Sequence, residues 1–212
     1  MPIVRAVLFD LDGTLIDSTP AVARSWARWG ELWGVGDPFA SHEHGRPARD
    51  LVAEHLPPEQ VDAAFRSIEA MEVADTEGIL VLPGARELLD ALPRDAWAIV
   101  TSCSRPLADA RLAAVGLEPP VLVTASDTAV GKPAPDPFLE AARRLGVDPA
   151  DCLVVEDAPA GLTAARAAGA ATLAVQGTVE TGLLEADLVA PSLTAVTVEV
   201  LPDGIQVALV PS

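Results

Sequence analysis

The chain has 212 residues, half of them hydrophobic and 21% charged, with a formal net charge of −17. That length holds one large domain or two modest ones, and that composition implies a well-buried core. The acidic balance disfavours nucleic acid and anionic membranes as partners, since both demand a basic surface. It does not decide against a phosphate ester, because a bound cation can reverse the sign inside a site.

The first element is an apolar run, Val4-Arg5-Ala6-Val7-Leu8-Phe9, read as a buried strand. It leads directly into Asp10-Leu11-Asp12-Gly13-Thr14. Side chains two apart on an extended chain point the same way, so both carboxylates are expected together at the strand's end. Two like charges held together call for a cation or a shared proton. The pattern therefore points to a hard divalent cation and to one carboxylate presented to an electrophile. The same aspartates interrupt the N-terminal apolar run, so no secretory pattern is read there. No window is long and apolar enough to span a membrane, and the cytoplasm is the expected location.

From about residue 20 to 74 the periodicity is helical. Trp26, Trp29 and Trp33 fall at i, i+3 and i+7 on one helical face. They are read as the core of a small helical unit, with an aromatic wall over a ligand as the alternative. Gly34-Val35-Gly36-Asp37-Pro38 ends that helix, and further helices are expected near residues 47–55 and 58–73. Glu69 and Glu72, three apart on the last of these, read as a solvated pair, though Glu69 could reach sugar hydroxyls. Arg46 and Arg49 can share a face in the same way. His42 and His44 lack a third ligand for a metal site, and a polar substrate contact by His44 is the better reading.

From Ile79 the rhythm becomes α/β. A helix opens at Pro83-Gly84 and runs through Leu92, and a buried strand at 97–100 ends at Thr101-Ser102. A helix follows over 106–115, a short strand over 121–124 and a helix over 135–145. The strand 152–155 ends at Glu156-Asp157, followed by a helix over 159–168 and a strand over 171–175. Leu188-Val189 reads as a last short strand, and Pro202-Asp203-Gly204 as the turn of a small hairpin. Alternation of this kind implies a parallel sheet covered on both faces. The architecture is thus an α/β core interrupted by a helical insertion, with residues 1–16 and 83–212 as core and 17–82 as insertion. Cys103 and Cys152 stand in no metal-type pattern and read as reduced thiols, a nucleophilic Cys103 being the weaker alternative.

Four clusters line up at the ends of strands or in the loops beyond them: Asp10-Leu-Asp12-Gly-Thr14, Thr101-Ser102, Gly131-Lys132-Pro133 and Glu156-Asp157. Together they resemble the four motifs of the haloacid dehalogenase-like phosphatases, over nearly the whole chain. The resemblance implies a Rossmann-like core with a small α-helical cap and a Mg²⁺-dependent phosphoric monoester hydrolase. It implies Asp10 as the nucleophile that becomes an aspartyl-phosphate, and Asp12 as general acid and then base. Lys132 would offset the carboxylates, and Ser102, or its neighbour Thr101, would bind the phosphoryl group. Asp10, the Asp12 carbonyl, Glu156 and Asp157 would hold the metal.

Finer likeness runs to the sugar- and polyol-phosphate phosphatases: Ser102-Cys103-Ser104-Arg105, Gly131-Lys132-Pro133-Ala134-Pro135 and Val155-Glu156-Asp157-Ala158-Pro159-Ala160-Gly161. The cap stretch His44-Gly45-Arg46-Pro47-Ala48-Arg49-Asp50 resembles that group's substrate loop, so His44, Gly45, Arg46 and Arg49 are substrate-binding candidates. A small phosphorylated sugar or polyol is the expected partner, and the protein is expected to be a monomer or weak dimer. A β-phosphoglucomutase-like mutase shares the core motifs and is the alternative.

Overall fold

The opening apolar run splits between two sheets. The structure is a computed structural model and describes residues 3–38, 48–176 and 184–210. Strand β1 (Ile3–Val4) pairs antiparallel with β11 (Gly204–Leu209), which also pairs with β10 (Val196–Leu201). The expected C-terminal hairpin therefore gains a third strand from the N-terminus. At Arg5 the chain turns, its N–H bonding the Asp151 carbonyl, and β2 (Ala6–Phe9) enters the main sheet.

The main sheet holds six parallel strands. These are β2, β5 (Trp97–Val100), β6 (Leu122–Val123), β7 (Cys152–Glu156), β8 (Ala171–Val175) and β9 (Leu188–Ala190), in the order β6-β5-β2-β7-β8-β9. Numbered along the chain, this is 3-2-1-4-5-6, the doubly wound order. Its strand order reverses between β2 and β7, the switch point beyond whose carboxyl ends such folds place their ligand crevice.

The strands are apolar on both faces, and period-2 alternation divides them between two cores. Val7, Phe9, Ile99, Leu153 and Val155 pack on one side with Leu88 and Leu89 of α4 (Ala85–Asp90) and Leu112 of α5 (Arg105–Val115). Ala6, Leu8, Ala98, Val100 and Val154 pack on the other with Phe138 and Ala141 of α6 (Asp136–Leu145) and Ala164 and Ala165 of α7 (Pro159–Ala167).

Between β3 (Ile16–Asp17) and β4 (Leu80–Val81), which pair antiparallel, lie α1 (Thr19–Trp33), α2 (Ala48–His55) and α3 (Pro58–Ala74). They enclose a separate apolar cluster containing Trp26, Trp29, Leu51, Val52, Ala64 and Ile68. The tryptophan stripe is core. Trp29 is fully buried with its indole N–H donating to the Ala64 carbonyl at 2.9 Å, and Trp33 donates to Ser67 Oγ at 3.0 Å. Among the described residues no helix is long and apolar enough to cross a membrane.

Candidate active site

Three of the four motif clusters meet at the crevice between β2 and β7. Asp10 follows the last residue of β2, Glu156 ends β7 and Asp157 follows it. One carboxylate oxygen from each of the three lies within 4.8 Å of the other two, and all three residues are buried. Lys132, from the loop before α6, reaches into this cluster. Its Nζ donates to Asp10 Oδ1 at 2.6 Å, to Glu156 Oε1 at 2.8 Å and to the Val100 carbonyl at 2.9 Å, and lies 5.0 Å from the Phe138 ring centre.

The loops bring these groups close because two glycines leave room. Gly13 has φ +87°, and a Cβ there would fall 2.2 Å from Asp157 Oδ2. A Cβ on Gly161 would fall 1.7 Å from Glu156 Oε1. Thr14 donates to Asp157 Oδ1 at 3.1 Å. The other Glu156 oxygen accepts the backbone N–H groups of Asp157 and Ala158, at 2.9 and 2.8 Å. Glu156 thus holds Lys132 and shapes its own loop.

The charge balance is the chemical signature. Burial pushes the Asp10 carboxyl well above the usual range; Lys132 opposes this, while Glu156 and Asp157 reinforce it. Burial works against the charge of Lys132, but Asp10 and Glu156 outweigh it and hold the ammonium above the usual lysine range. Among the described residues three clustered carboxylates stand against one ammonium, an excess of buried negative charge that a further cation or proton would relieve. An all-oxygen donor set of this kind suits a hard divalent ion.

Asp12 belongs to a different neighbourhood. It lies beyond the end of β2, in an isolated bridge with Ile16. Its Oδ1 accepts from Ser18 Oγ at 2.7 Å. Its Oδ2 meets Arg111 Nη1 at 2.8 Å and Cys103 Sγ at 3.1 Å. Arg111 comes from α5 and also reaches Glu72 of α3 at 3.5 Å.

Residues 4–169 match the family model for haloacid dehalogenase-like hydrolases. The chain belongs to that family. It is 43% identical over 208 residues to hexitol phosphatase A of Escherichia coli, an alignment covering 94% of this chain and 96% of that protein. It is 35% identical over 198 residues to glycerol-1-phosphate phosphohydrolase 2 of Saccharomyces cerevisiae, covering 86% of this chain and 78% of the relative. The crystal structure of a hydrolase from Pseudomonas syringae superposes with a TM-score of 0.77 at 29% identity, covering 89% of this chain and 94% of that one. The chain is a phosphoric monoester hydrolase of the haloacid dehalogenase-like family.

The remaining candidates of this hydrolase fall as follows. Thr101 is buried, and its Oγ1 accepts the Cys103 N–H at 3.1 Å, so its hydroxyl is engaged inside the loop. Ser102 is exposed at the end of β5. Burial, reinforced by Asp12, pushes the Cys103 thiol up, against a nucleophilic role. Arg49 forms an ion pair with Asp62 and lies 5.5 Å over the Phe65 ring, both partners on α3. His42, His44, Gly45 and Arg46 lie outside the described residues.

Glu72 corrects one expectation. It is buried and ion-paired rather than solvated surface. Burial raises its carboxyl to about 7, with Arg111 opposing and Asp12 and Glu69 adding to the shift. The sequence carries a signal for Glu72 and Arg111. Glu72 continues the buried stripe Val61, Ala64, Ile68 of α3, and Arg111 sits among Leu107, Ala108 and Leu112 of α5. A charge at a core position is costly unless paired, and here two such positions carry opposite signs.

Proposed function

We propose that this hydrolase removes phosphate from a small sugar or polyol phosphate through an aspartyl-phosphate on Asp10, with Mg²⁺ as cofactor. The observation that carries the reading is the buried cluster in which Lys132 joins Asp10 to Glu156 while Asp157 stands beside them. The fold places this cluster at the crevice where a doubly wound sheet receives its ligand. Likeness to phosphatases of a hexitol phosphate and of glycerol 1-phosphate supports a polyol or sugar as the leaving alcohol.

In this reading an Asp10 oxygen attacks phosphorus, the bond from phosphorus to the alcohol oxygen breaks, and Asp12 supplies that oxygen with a proton. Asp12 then takes a proton from water as the water oxygen attacks phosphorus, which frees Asp10 and releases inorganic phosphate. Lys132 keeps the attacking carboxylate ionised and oriented, and exposed Ser102 donates to a phosphoryl oxygen. Thr101 supports that loop from beneath. Asp10, the Asp12 carbonyl and Asp157 would hold Mg²⁺, with Glu156 behind them. When bound, the ion neutralises charge on the phosphoryl oxygens and on the carboxylate cluster.

Residues 17–82 act as the cap over a core formed by 1–16 and 83–212, and the β3–β4 ribbon is the joint between them. His44, Gly45, Arg46 and Arg49 are its candidates for contact with the alcohol portion. A monomer or weak dimer in the cytoplasm completes the proposal. The mutase alternative is not favoured, since the named relatives are phosphatases.

The test is incubation of the purified protein and Mg²⁺ with a hexitol phosphate, glycerol 1-phosphate, glucose 1-phosphate and glucose 6-phosphate. Inorganic phosphate and isomer interconversion are followed together. Stoichiometric phosphate release without isomerisation is expected. Interconversion with little phosphate released would overturn the phosphatase reading in favour of the mutase.

A further inference from the structure

We propose that Arg111 is a positioning residue that sets the carboxylate of Asp12 for its acid–base work, and that Glu72 couples this setting to the seating of the helical unit. The inference rests on the phosphatase reading above, in which Asp12 is the proton donor and acceptor.

Three observations carry it. Both oxygens of Asp12 are held, and from different parts of the chain. Ser18, at the start of the helical insertion, takes Oδ1, and Arg111, on core helix α5, takes Oδ2. A carboxylate gripped at both ends has one orientation, and a planar guanidinium fixes that orientation more firmly than a single ammonium would. The second observation is that Arg111 is shared. Its Nη1 serves Asp12 and the Cys103 sulfur at 3.0 Å, while its Nη2 faces Glu72 Oε1. Asp12 and Glu72 therefore draw on one cation from opposite sides.

The third observation concerns where Glu72 comes from. It lies on α3 of the insertion, next to Val73, which packs on Cys103, Leu107 and Ala108 of the core. The contact of α3 with α5 is thus an apolar patch with one buried ion pair beside it. Lifting α3 would take Glu72 away and leave Arg111 to Asp12 and Cys103 alone. Seating α3 returns the second carboxylate and re-centres the guanidinium. Arg111 itself is 5% exposed, too buried to serve as a surface contact for the alcohol portion of a substrate.

A purely structural role would also explain a buried arginine between two carboxylates, so the experiment must read through Asp12. The full chain with Mg²⁺ is assayed on a hexitol phosphate and on p-nitrophenyl phosphate. The variants are Arg111→Met, Arg111→Lys, Glu72→Gln and Asp12→Ala, together with both Arg111 changes in the Asp12→Ala background. The aryl phosphate, whose leaving group needs no proton, keeps the Asp12→Ala background measurable.

Arg111→Met is expected to lower kcat on the hexitol phosphate by roughly 50-fold, less than the roughly 100- to 10,000-fold of full general acid–base assistance because Asp12 itself remains, with little change in KM. In the Asp12→Ala background the same change should lower the residual kcat by less than about threefold, because the group it positions is gone. Arg111→Lys should fall between wild type and Arg111→Met. Glu72→Gln should give a smaller kcat loss, again absent without Asp12. If Arg111→Met melts below the assay temperature, the lysine variant carries the same cycle. Equal losses with and without Asp12 would overturn the proposal and leave Arg111 as a structural ion. Wild-type turnover in Arg111→Met, beside a large loss in Asp12→Ala, would overturn the proposal alone. Wild-type turnover in Asp12→Ala would overturn the acid–base reading and this proposal with it.

Discussion

Asp10 and Asp12 are two residues apart and live in unlike surroundings. Among the described residues Asp10 is held by a core element, Lys132 from the loop before α6, beside Glu156 and Asp157 at and just beyond the end of β7. Asp12 is held by Ser18 at the joint, by Cys103 and Arg111 of the core, and through Arg111 by Glu72 of the insertion. In the proposed mechanism the difference separates two jobs. A nucleophile that meets every phosphate ester needs a rigid seat that no other part of the molecule disturbs. A group that must give a proton and later take one gains from partners that register whether the helical unit is seated.

The sharpest way to break this comparison is Asp10→Asn. Phosphate release should fall at least about a thousandfold, because the amide is a poor nucleophile. In chelator the same variant should melt above wild type, since burial and two neighbouring carboxylates hold the Asp10 carboxyl far above its ordinary range. Phosphate release and melting curves on both proteins check this. Turnover near wild type would remove Asp10 from the chemistry.

Lys132→Met tests the rigid seat from the other side. Removing the one ammonium leaves Asp10 and Glu156 without their partner, a change that costs about 3–5 kcal/mol in buried pairs. Thermal or denaturant unfolding should show that loss, together with loss of turnover. A variant as stable as wild type would mean that the carboxylates are not jointly held by this lysine.

The Asp12 neighbourhood should reveal itself in pH dependence. The Glu72 carboxyl lies at about 7 in the folded protein against an ordinary value of 4.5. Between those values the folded state binds more protons than the unfolded chain, so stability falls as pH rises from about 4.5 to about 7. The contribution is at most roughly 3 kcal/mol, by the free energy of a shift of this size. Glu72→Gln should remove it, so the difference in stability between the two proteins should grow across that window and level off above it. A constant difference would show that Glu72 is ionised throughout.

A smaller effect is expected from the cation. Mg²⁺ at a hundred times its dissociation constant should stabilise the protein by about 2.7 kcal/mol, and the melting temperature should rise accordingly. Asp157→Asn should blunt that rise, and Arg111→Lys should leave it intact, because Arg111 touches the Asp12 side chain and none of the clustered carboxylates. Equal blunting in both variants would merge the two neighbourhoods into one.

Much of this was legible because it is local. Strands 97–100 and 171–175 were read to the residue from apolar runs bounded by breakers, and helix ends fell within two or three residues of their observed places. Asp10, Glu156 and Asp157 stand out as polar residues at or just beyond the ends of apolar strands, and Lys132 as a cation in the loop beyond another, where a parallel sheet presents its loops. The opening strand was harder. A continuous apolar run gives no sign that Arg5 turns the chain from one sheet into another. The partners of Asp12 were hidden for a related reason: Cys103 and Arg111 come from segments far along the chain.

By itself, then, the amino-acid order determined the alternating α/β core, the helical insertion with its tryptophan core and the chemical types at the strand ends. Periodicity and breakers are short-range properties, and a short-range reading suffices for them. The tertiary structure alone decided which carboxylates share a cation and which do not. It put Asp12 with Arg111, 99 positions away in the chain, and set Glu72 against the same guanidinium. Pairing of buried charges depends on the packing of α3 against α5, a contact between distant segments that no local pattern encodes.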